Sequence, residues 1–351
     1  MSDYFDRIER QIVRNVEAGL PGVPRRPSAL GYLATAAAVA VVIVVAGVFL
    51  LAGGSNRSAP AVAPTAHSVT VTFTATAINP HAPLGPAIDR SVPILRERLA
   101  SALPGTSVSR VGNDVIVLAP HAQANTRARI LALAVPGRLA FYDWEADAIT
   151  PNGKTVASQL RAQNATALKV SQGSGPMTAG TPGAGSMSLR QALELTRKST
   201  VRSVVLEAMN PDGFRPANFR DPTAGFYVLK DVPLLTGGDI THPQEGTDAG
   251  GQPDVSFGFT SSGAGAFQAM TRSVARRGAL VSTPGQPLNQ HFAIALDNRL
   301  ISVPFIDSKQ YPDGINGDNG AAILGSFTAQ SARDLATILS YGPLPISLTT
   351  G

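Results

Sequence analysis

Apolar and polar residues alternate strictly over Ser68–Thr76 (Ser-Val-Thr-Val-Thr-Phe-Thr-Ala-Thr), the period-two signature of a half-buried strand. The period then changes. Ile88, Val92, Leu95 and Leu99 recur at helical spacing until Pro104-Gly105, which ends the element. Ser107–Val111 and Asp114–Leu118 alternate again on either side of Gly112-Asn113 and predict a hairpin. A second helix through Ile130, Leu131 and Leu133 stops at Pro136-Gly137, and Arg138–Trp144 reads as a further strand. The order β-α-β-β-α-β over residues 67–145 predicts a ferredoxin-like (split βαβ) base within an α+β fold, its helices covering one face of an antiparallel sheet.

The pattern loosens over residues 146–224. This insert contains a Gly/Ser/Pro-rich linker, Ser171–Ser186, followed by a short helix at Leu189–Lys198 and a short strand at Ser203–Ala208. The linker lacks the Gly-Lys-Ser/Thr ending of a phosphate loop. Residues 225–327 predict an inserted α+β head: strands at Phe226–Leu229 and Asp254–Phe259, then a helix at Gly263–Arg276 with Ala266, Phe267, Met270 and Val274 inward. Phe292–Leu296 and Leu300–Phe305 pair across Asp297-Asn298, residues that tolerate positive φ, and Ala321–Leu324 is one more strand. In residues 328–351, Thr328 N-caps a helix through Ala332, Leu335, Ala336 and Leu339, and Gly342-Pro343 turns it into a last strand, Pro345–Leu348. An echo links Ala128-Arg-Ile-Leu-Ala132 and Gly137-Arg-Leu139 with Ala332-Arg-Asp-Leu-Ala336 and Gly342-Pro-Leu344. It suggests that the last helix and strand return to the first sheet and close the base.

Ahead of these units, Ala29–Gly53 holds no charged residue and includes Val39-Ala-Val-Val-Ile-Val-Val45. At 1.5 Å per residue its length, about 25 residues, crosses a hydrocarbon core of roughly 30 Å. It follows a hydrophilic leader, residues 1–28, and is longer than the apolar part of a signal peptide, so an uncleaved single transmembrane helix is predicted. Arg25 and Arg26 abut it on one side and only Arg57 follows closely on the other, which places the N-terminus inside the cell and the C-terminal domain outside. In the leader, Phe5, Ile8, Ile12 and Val16 recur at helical spacing and predict a short amphipathic helix. Residues 54–66 are a Ser/Pro/Ala tether.

Composition narrows the chemistry. The chain has 351 residues, 44% hydrophobic and 15% charged, with 34 Gly, 27 Pro and no Cys, so disulfides, thiol catalysis and thiolate metal sites are excluded. The net charge of +5 is spread along the chain without a basic, aromatic-interleaved stripe, which argues against nucleic acid as a partner. His67, His81, His121, His242 and His291 lack metal-ligand spacing. Asp313, Asn316, Asp318 and Asn319 lack the order and terminal Glu of a calcium loop. Gly263-Ala264-Gly265 lacks the third glycine of a dinucleotide fingerprint, and no Gly-x-Ser-x-Gly elbow occurs. The chain therefore reads as a non-enzyme without cofactor or metal.

Four blocks carry a resemblance. They are Phe226-Tyr-Val-Leu-Lys230 with Leu235-Thr-Gly-Gly-Asp-Ile240; Gln252-Pro-Asp-Val-Ser-Phe257 with Gly265-Ala-Phe-Gln-Ala-Met-Thr271; Ala293–Ile306; and Ala332-Arg-Asp-Leu-Ala336 with Ser340-Tyr-Gly-Pro-Leu-Pro345. In this order they resemble the first periplasmic domain (P1) of SecD, the export subunit that works beside the SecYEG channel. The resemblance implies a base with an inserted head that grips exported or unfolded polypeptide, and Sec translocon subunits as partners. It also implies a departure. SecD has six spans with ionisable residues serving a proton-driven motor, whereas Ala29–Gly53 offers only Tyr32 and Thr35 as polar side chains of note, so no such motor is expected in this span.

For polypeptide capture, the most apolar stretch beside expected irregular structure is Val303, Pro304, Phe305 and Ile306, with Tyr311 in the next loop. Val303, Phe305, Ile306 and Tyr311 are the candidate binding residues. A different class of function also fits the pattern: a single-span envelope signalling or scaffold protein, its exterior domain sensing a ligand and its leader helix docking a cytosolic partner.

Overall fold

The computed structural model describes residues 68–164, 186–208, 224–282, 288–325 and 327–350. The expected leader helix, membrane span and tether lie outside the described residues, as does nearly all of the Ser171–Ser186 linker. No helix among the described residues is long and apolar enough to cross a membrane.

The chain opens with β1 (Val69–Ala77), α1 (Leu84–Ala102), β2 (Ser107–Val111), β3 (Asp114–Ala119) and α2 (Thr126–Leu133). Next come β4 (Leu139–Asp143), the one-turn α3 (Trp144–Asp147), β5 (Ala148–Ile149), α4 (Val156–Asn164), α5 (Leu189–Lys198), β6 (Ser203–Glu207) and β7 (Phe226–Lys230). Then follow β8 (Leu235–Thr236), β9 (Ile240–Thr247), β10 (Pro253–Phe259), α6 (Ser261–Val281), β11 (Gln290–Leu296), β12 (Arg299–Ser302) and β13 (Phe305–Ile306). The chain ends with β14 (Ala321–Ile323), α7 (Ala329–Tyr341) and β15 (Ile346–Thr350).

The alternation in β1 does what its period requires. Val71, Phe73 and Ala75 face inward while Thr70, Thr72, Thr74 and Thr76 are exposed. The first sheet has the order β15-β1-β3-β2, with every pair antiparallel. Ile88, Leu95 and Leu99 of α1, Ile130 and Leu133 of α2, and Ile338 of α7 cover its inner face.

One expectation for this sheet is corrected. The strand expected at Arg138–Trp144 forms as β4 but pairs with β11 and β8, and the place beside β1 is taken by β15. The reason lies in burial. Leu139 and Phe141 of β4 enter one core cluster while Tyr142 enters another, so β4 needs apolar cover on both faces, which an interior position in the larger sheet provides.

That sheet runs β5-β7-β6-β12-β11-β4-β8, with β13 added on β11. Its halves meet where β6 and β12 pair in parallel at Glu207 and Arg299, a salt bridge whose side chains are both 2% exposed. A third sheet, β14-β10-β9, shares a core with it. Phe267, Met270 and Val274 of α6, Val255 and Phe257 of β10, and Leu335 and Leu339 of α7 join Phe141 and Phe292 there. Strand β9 had no signal in the sequence. Its residues, Ile-Thr-His-Pro-Gln-Glu-Gly-Thr, show no apolar alternation, and pairing with β10 supplies its conformation.

Between the first sheet and the rest lies a junction built on Arg98. Its side chain is fully buried and donates to the carbonyls of Leu133, Val135, Pro136 and Gly342. Both echoed turns therefore meet at one guanidinium. Gly137 and Gly342 each adopt φ of +79°, the left-handed region that favours glycine. A Cβ on Gly137 would collide with Ile338 and Arg98. Asp297 closes the joint by accepting from the Gly137 and Arg138 amides at 2.8 and 2.9 Å. Burial lowers the Arg98 pKa to about 10, partly offset by Asp297, so the side chain keeps its charge at neutral pH.

Candidate functional site

Helix α6 begins where Thr260 accepts a hydrogen bond from the Gly263 amide at 2.9 Å. It continues to Val281, five residues beyond the expected end at Arg276. Phe267, Met270, Val274, Gly278 and Val281 are buried, which leaves Ala269, Arg272, Ser273, Arg276 and Leu280 on the opposite stripe. Together with Ala157 and Leu160 of α4, that stripe lines a groove of about 590 Å³. Leu280 at its end is 83% exposed.

Arg277 also lines the groove and binds the Asp143 carboxylate through both terminal nitrogens, Nη1 reaching Oδ2 at 2.7 Å, and its Nε donates to Gln290 Oε1 at 3.2 Å. Asp143 also caps α3 by accepting from the Ala146 amide at 3.2 Å. Glu145 accepts from the His291 amide at 2.9 Å, lies 2.7 Å from His291 Nδ1 and is 3.5 Å from Arg277 Nη2. One network thus ties α6 to α3 and β11, and a helix so clamped presents its outer stripe in a fixed place.

Burial pushes the Asp143 carboxyl up, and Arg277 pulls it back. Asp147 is pushed up to about 7, first by burial and then by the negative charge of Asp143. Neither carboxylate lines the groove, nor do Glu145 and His291. What faces the groove is guanidinium, amide, hydroxyl and methyl groups. Such a surface is suited to a ligand that offers charge and apolar contact, and no carboxylate or imidazole lines it.

The arginines are unequally compensated. Arg277 has its carboxylates, whereas Arg272 donates to the Asp313 carbonyl at 3.0 Å. Among the described residues no salt bridge engages Arg272 or Arg276. No cluster of three metal-type ligands converges among the described residues.

The candidates read from sequence fall elsewhere. Val303 is 4% exposed in the cluster with Tyr142 and Trp144, and Ile306 is 2% exposed in the core with Phe292. These two are core residues and present no patch. β13 pairs with β11, which draws the stretch into the sheet and buries it. Phe305 is half-buried, edge-on to His291 at 6.5 Å, and Tyr311 is half-buried against the core. None of the four lines the α4–α6 groove. The stripe Ala269, Arg272, Ser273, Arg276 and Leu280 was legible as spacing, but it was hidden by ending the helix at Arg276.

Residues 215–346, from before β7 through α7, match the family model described as SecDF, P1 head subdomain. Over this stretch the chain is similar to SecD. The protein translocase subunit SecD of Rhodobacter capsulatus is 35% identical over 174 residues, 48% of this chain and 28% of that protein. SecD of Aquifex aeolicus is 35% identical over 123 residues, 35% of this chain and 21% of that protein. The chain thus spans about a quarter of the length of these curated relatives. A crystal structure of SecDF in a super-membrane-facing form aligns over 81% of this chain and 29% of its own, at 20% identity and a TM-score of 0.47. A structure of SecDF described as a membrane component that enhances protein export aligns over 81% of this chain and 98% of its own, at 21% identity and a TM-score of 0.45. The SecD-like stretch contains the whole of α6 and therefore one full wall of the groove.

Proposed function

We propose that this chain is a membrane-anchored, extracytoplasmic SecD-like accessory protein that binds polypeptide during or after Sec-dependent export and has no proton-driven motor of its own. The observation that carries the reading is the match of residues 215–346 to the SecDF P1 head subdomain. In this reading the sheet β15-β1-β3-β2 is a ferredoxin-like base, supported by its all-antiparallel order with two helix-linked returns. The head stands on that base, and Ala29–Gly53 anchors both to the cell membrane with the N-terminus in the cytoplasm. The partners are exported or unfolded chains and translocon subunits, and the protein is not an enzyme. The groove supports a binding role, since its lining joins arginines to apolar side chains and holds no His, Asp, Glu or Lys.

In-cell photocrosslinking from exposed positions of the exterior domain tests the reading. Exported chains or channel subunits are the expected products. Recovery of cytosolic regulators through the leader, with no exported chain at the exterior domain, would replace it with the signalling reading. Protease added to intact spheroplasts is expected to remove a tag placed after Gly351, and a protected tag would remove the topology on which the proposal stands.

A further inference from the structure

We infer that the α4–α6 groove selects peptide segments in which acidic side chains lie beside apolar ones. The inference rests on the polypeptide-binding reading and adds the class of segment that is preferred. Three features carry it. Charge comes first: Arg272 and Arg276 reach the groove without a salt-bridge partner among the described residues. A guanidinium's fork of donors matches a carboxylate better than any other peptide group. The second feature is apolar contact. Leu280 stands 83% exposed in a groove it shares with Leu160, Ala157 and Val281, and a lone cation site for a small anion would not need this apolar rim. A volume of about 590 Å³ lies within the roughly 300–1,000 Å³ of built ligand sites.

The third feature is rigidity. Arg277 is locked to Asp143 and Gln290, so its charge is partly spent and the helix beneath Arg276 cannot roll. A fixed basic wall repels a basic segment as well as attracting an acidic one, and both effects contribute to selectivity. The buried acids Asp143 and Glu145 lie beneath Arg277 and away from the groove lining, so they do not cancel the field of Arg272 and Arg276 at its mouth.

The test uses the full chain in phosphatidylcholine nanodiscs and two dye-labelled peptides of equal length, one alternating Leu and Glu, the other Leu and Lys, read by fluorescence anisotropy. The acidic peptide is expected to bind at least about tenfold more tightly at low salt, with the preference shrinking toward 1 M salt, where the Debye length is about 3 Å. Arg276→Glu is expected to lower acidic-peptide affinity by about tenfold, and Leu280→Ser to weaken it several-fold; urea unfolding of both variants checks that they fold. Equal affinity for the two peptides, or an Arg276→Glu variant that folds and binds as before, overturns the inference. Displacement of the acidic peptide by short-chain phosphatidylglycerol at lower concentration than by the unlabelled peptide would assign the arginines to lipid headgroups and also overturns it. The two readings fail separately. If exported chains crosslink to the exterior domain while both peptides bind alike, only this inference falls; if the acidic peptide is selected but no exported chain crosslinks, only the export reading does.

Discussion

Arg98 and Arg277 are both withdrawn from solvent, yet their surroundings give them opposite tasks. Arg98 is enclosed by four backbone carbonyls and reaches no carboxylate closer than the Coulombic range of Asp297. Carbonyls do not titrate, so the hydrogen bonds that hold the Arg98 guanidinium between the first sheet and the rest of the fold do not themselves depend on pH. Arg277 sits among Asp143, Glu145 and Gln290, in the lining of a groove. Of these neighbours Asp143 is a carboxyl pushed up by burial and pulled back by Arg277 itself, and the groove is open to solvent. A buried cation satisfied by backbone fixes geometry, whereas one satisfied by carboxylates couples geometry to charge.

The comparison is broken most severely at Arg98. Arg98→Met is expected to destabilise the fold by about 3 kcal/mol or more, at roughly 1–3 kcal/mol for each carbonyl left without this donor (Leu133, Val135 and Gly342), since Pro136 keeps the Leu344 amide at 2.8 Å; urea unfolding measures it. Gly137→Ala strikes the same joint from the other side. Both Gly137 and Gly153 adopt positive φ, but a Cβ on Gly137 meets Ile338 and Arg98 while one on Gly153 meets nothing within 4 Å. Alanine at position 153 is expected to cost about 1–2 kcal/mol of backbone strain alone, and alanine at position 137 about 2 kcal/mol more from overpacking. Equal losses would show that the joint is looser than its geometry.

At the other arginine the expected effect is smaller and depends on pH. Asp147 has a pKa of about 7 in the fold against 3.8 outside it, so between these values the folded state binds the extra proton. Stability should then fall as pH rises from about 4 to 7 and level off above that. Asp147→Asn removes this slope and is expected to raise stability at pH 8 relative to pH 4, checked by unfolding at both pH values. A steeper slope in the variant would contradict the assignment. Smallest of all, Leu280→Ser is expected to change stability by less than about 0.5 kcal/mol, while weakening peptide binding.

Much of this architecture was legible in the chain. The Ser68–Thr76 alternation, the Gly112-Asn113 and Asp297-Asn298 hairpins and the Thr328 cap all appear where local spacing placed them. Each is a short-range device whose signal lies within a few residues. The pairing of β4 was not legible, because β4 reads as a strand whichever sheet receives it. The binding residues were harder still. Val303 and Ile306 were chosen for apolarity, which marks a core as readily as a surface, and burial separates the two only once β13 has found β11.

The sequence by itself determined the period of each strongly patterned element, its stops, the absence of cysteine chemistry and the SecD-like blocks. The tertiary structure alone decided that Pro136 and Gly342, more than two hundred positions apart, share one guanidinium, and that α4 and α6 leave a basic groove between them. Local conformation follows from steric and hydrogen-bond rules acting over a few residues. Which distant carbonyl or carboxylate a buried arginine meets follows only from the packing of whole elements, and no local pattern encodes it.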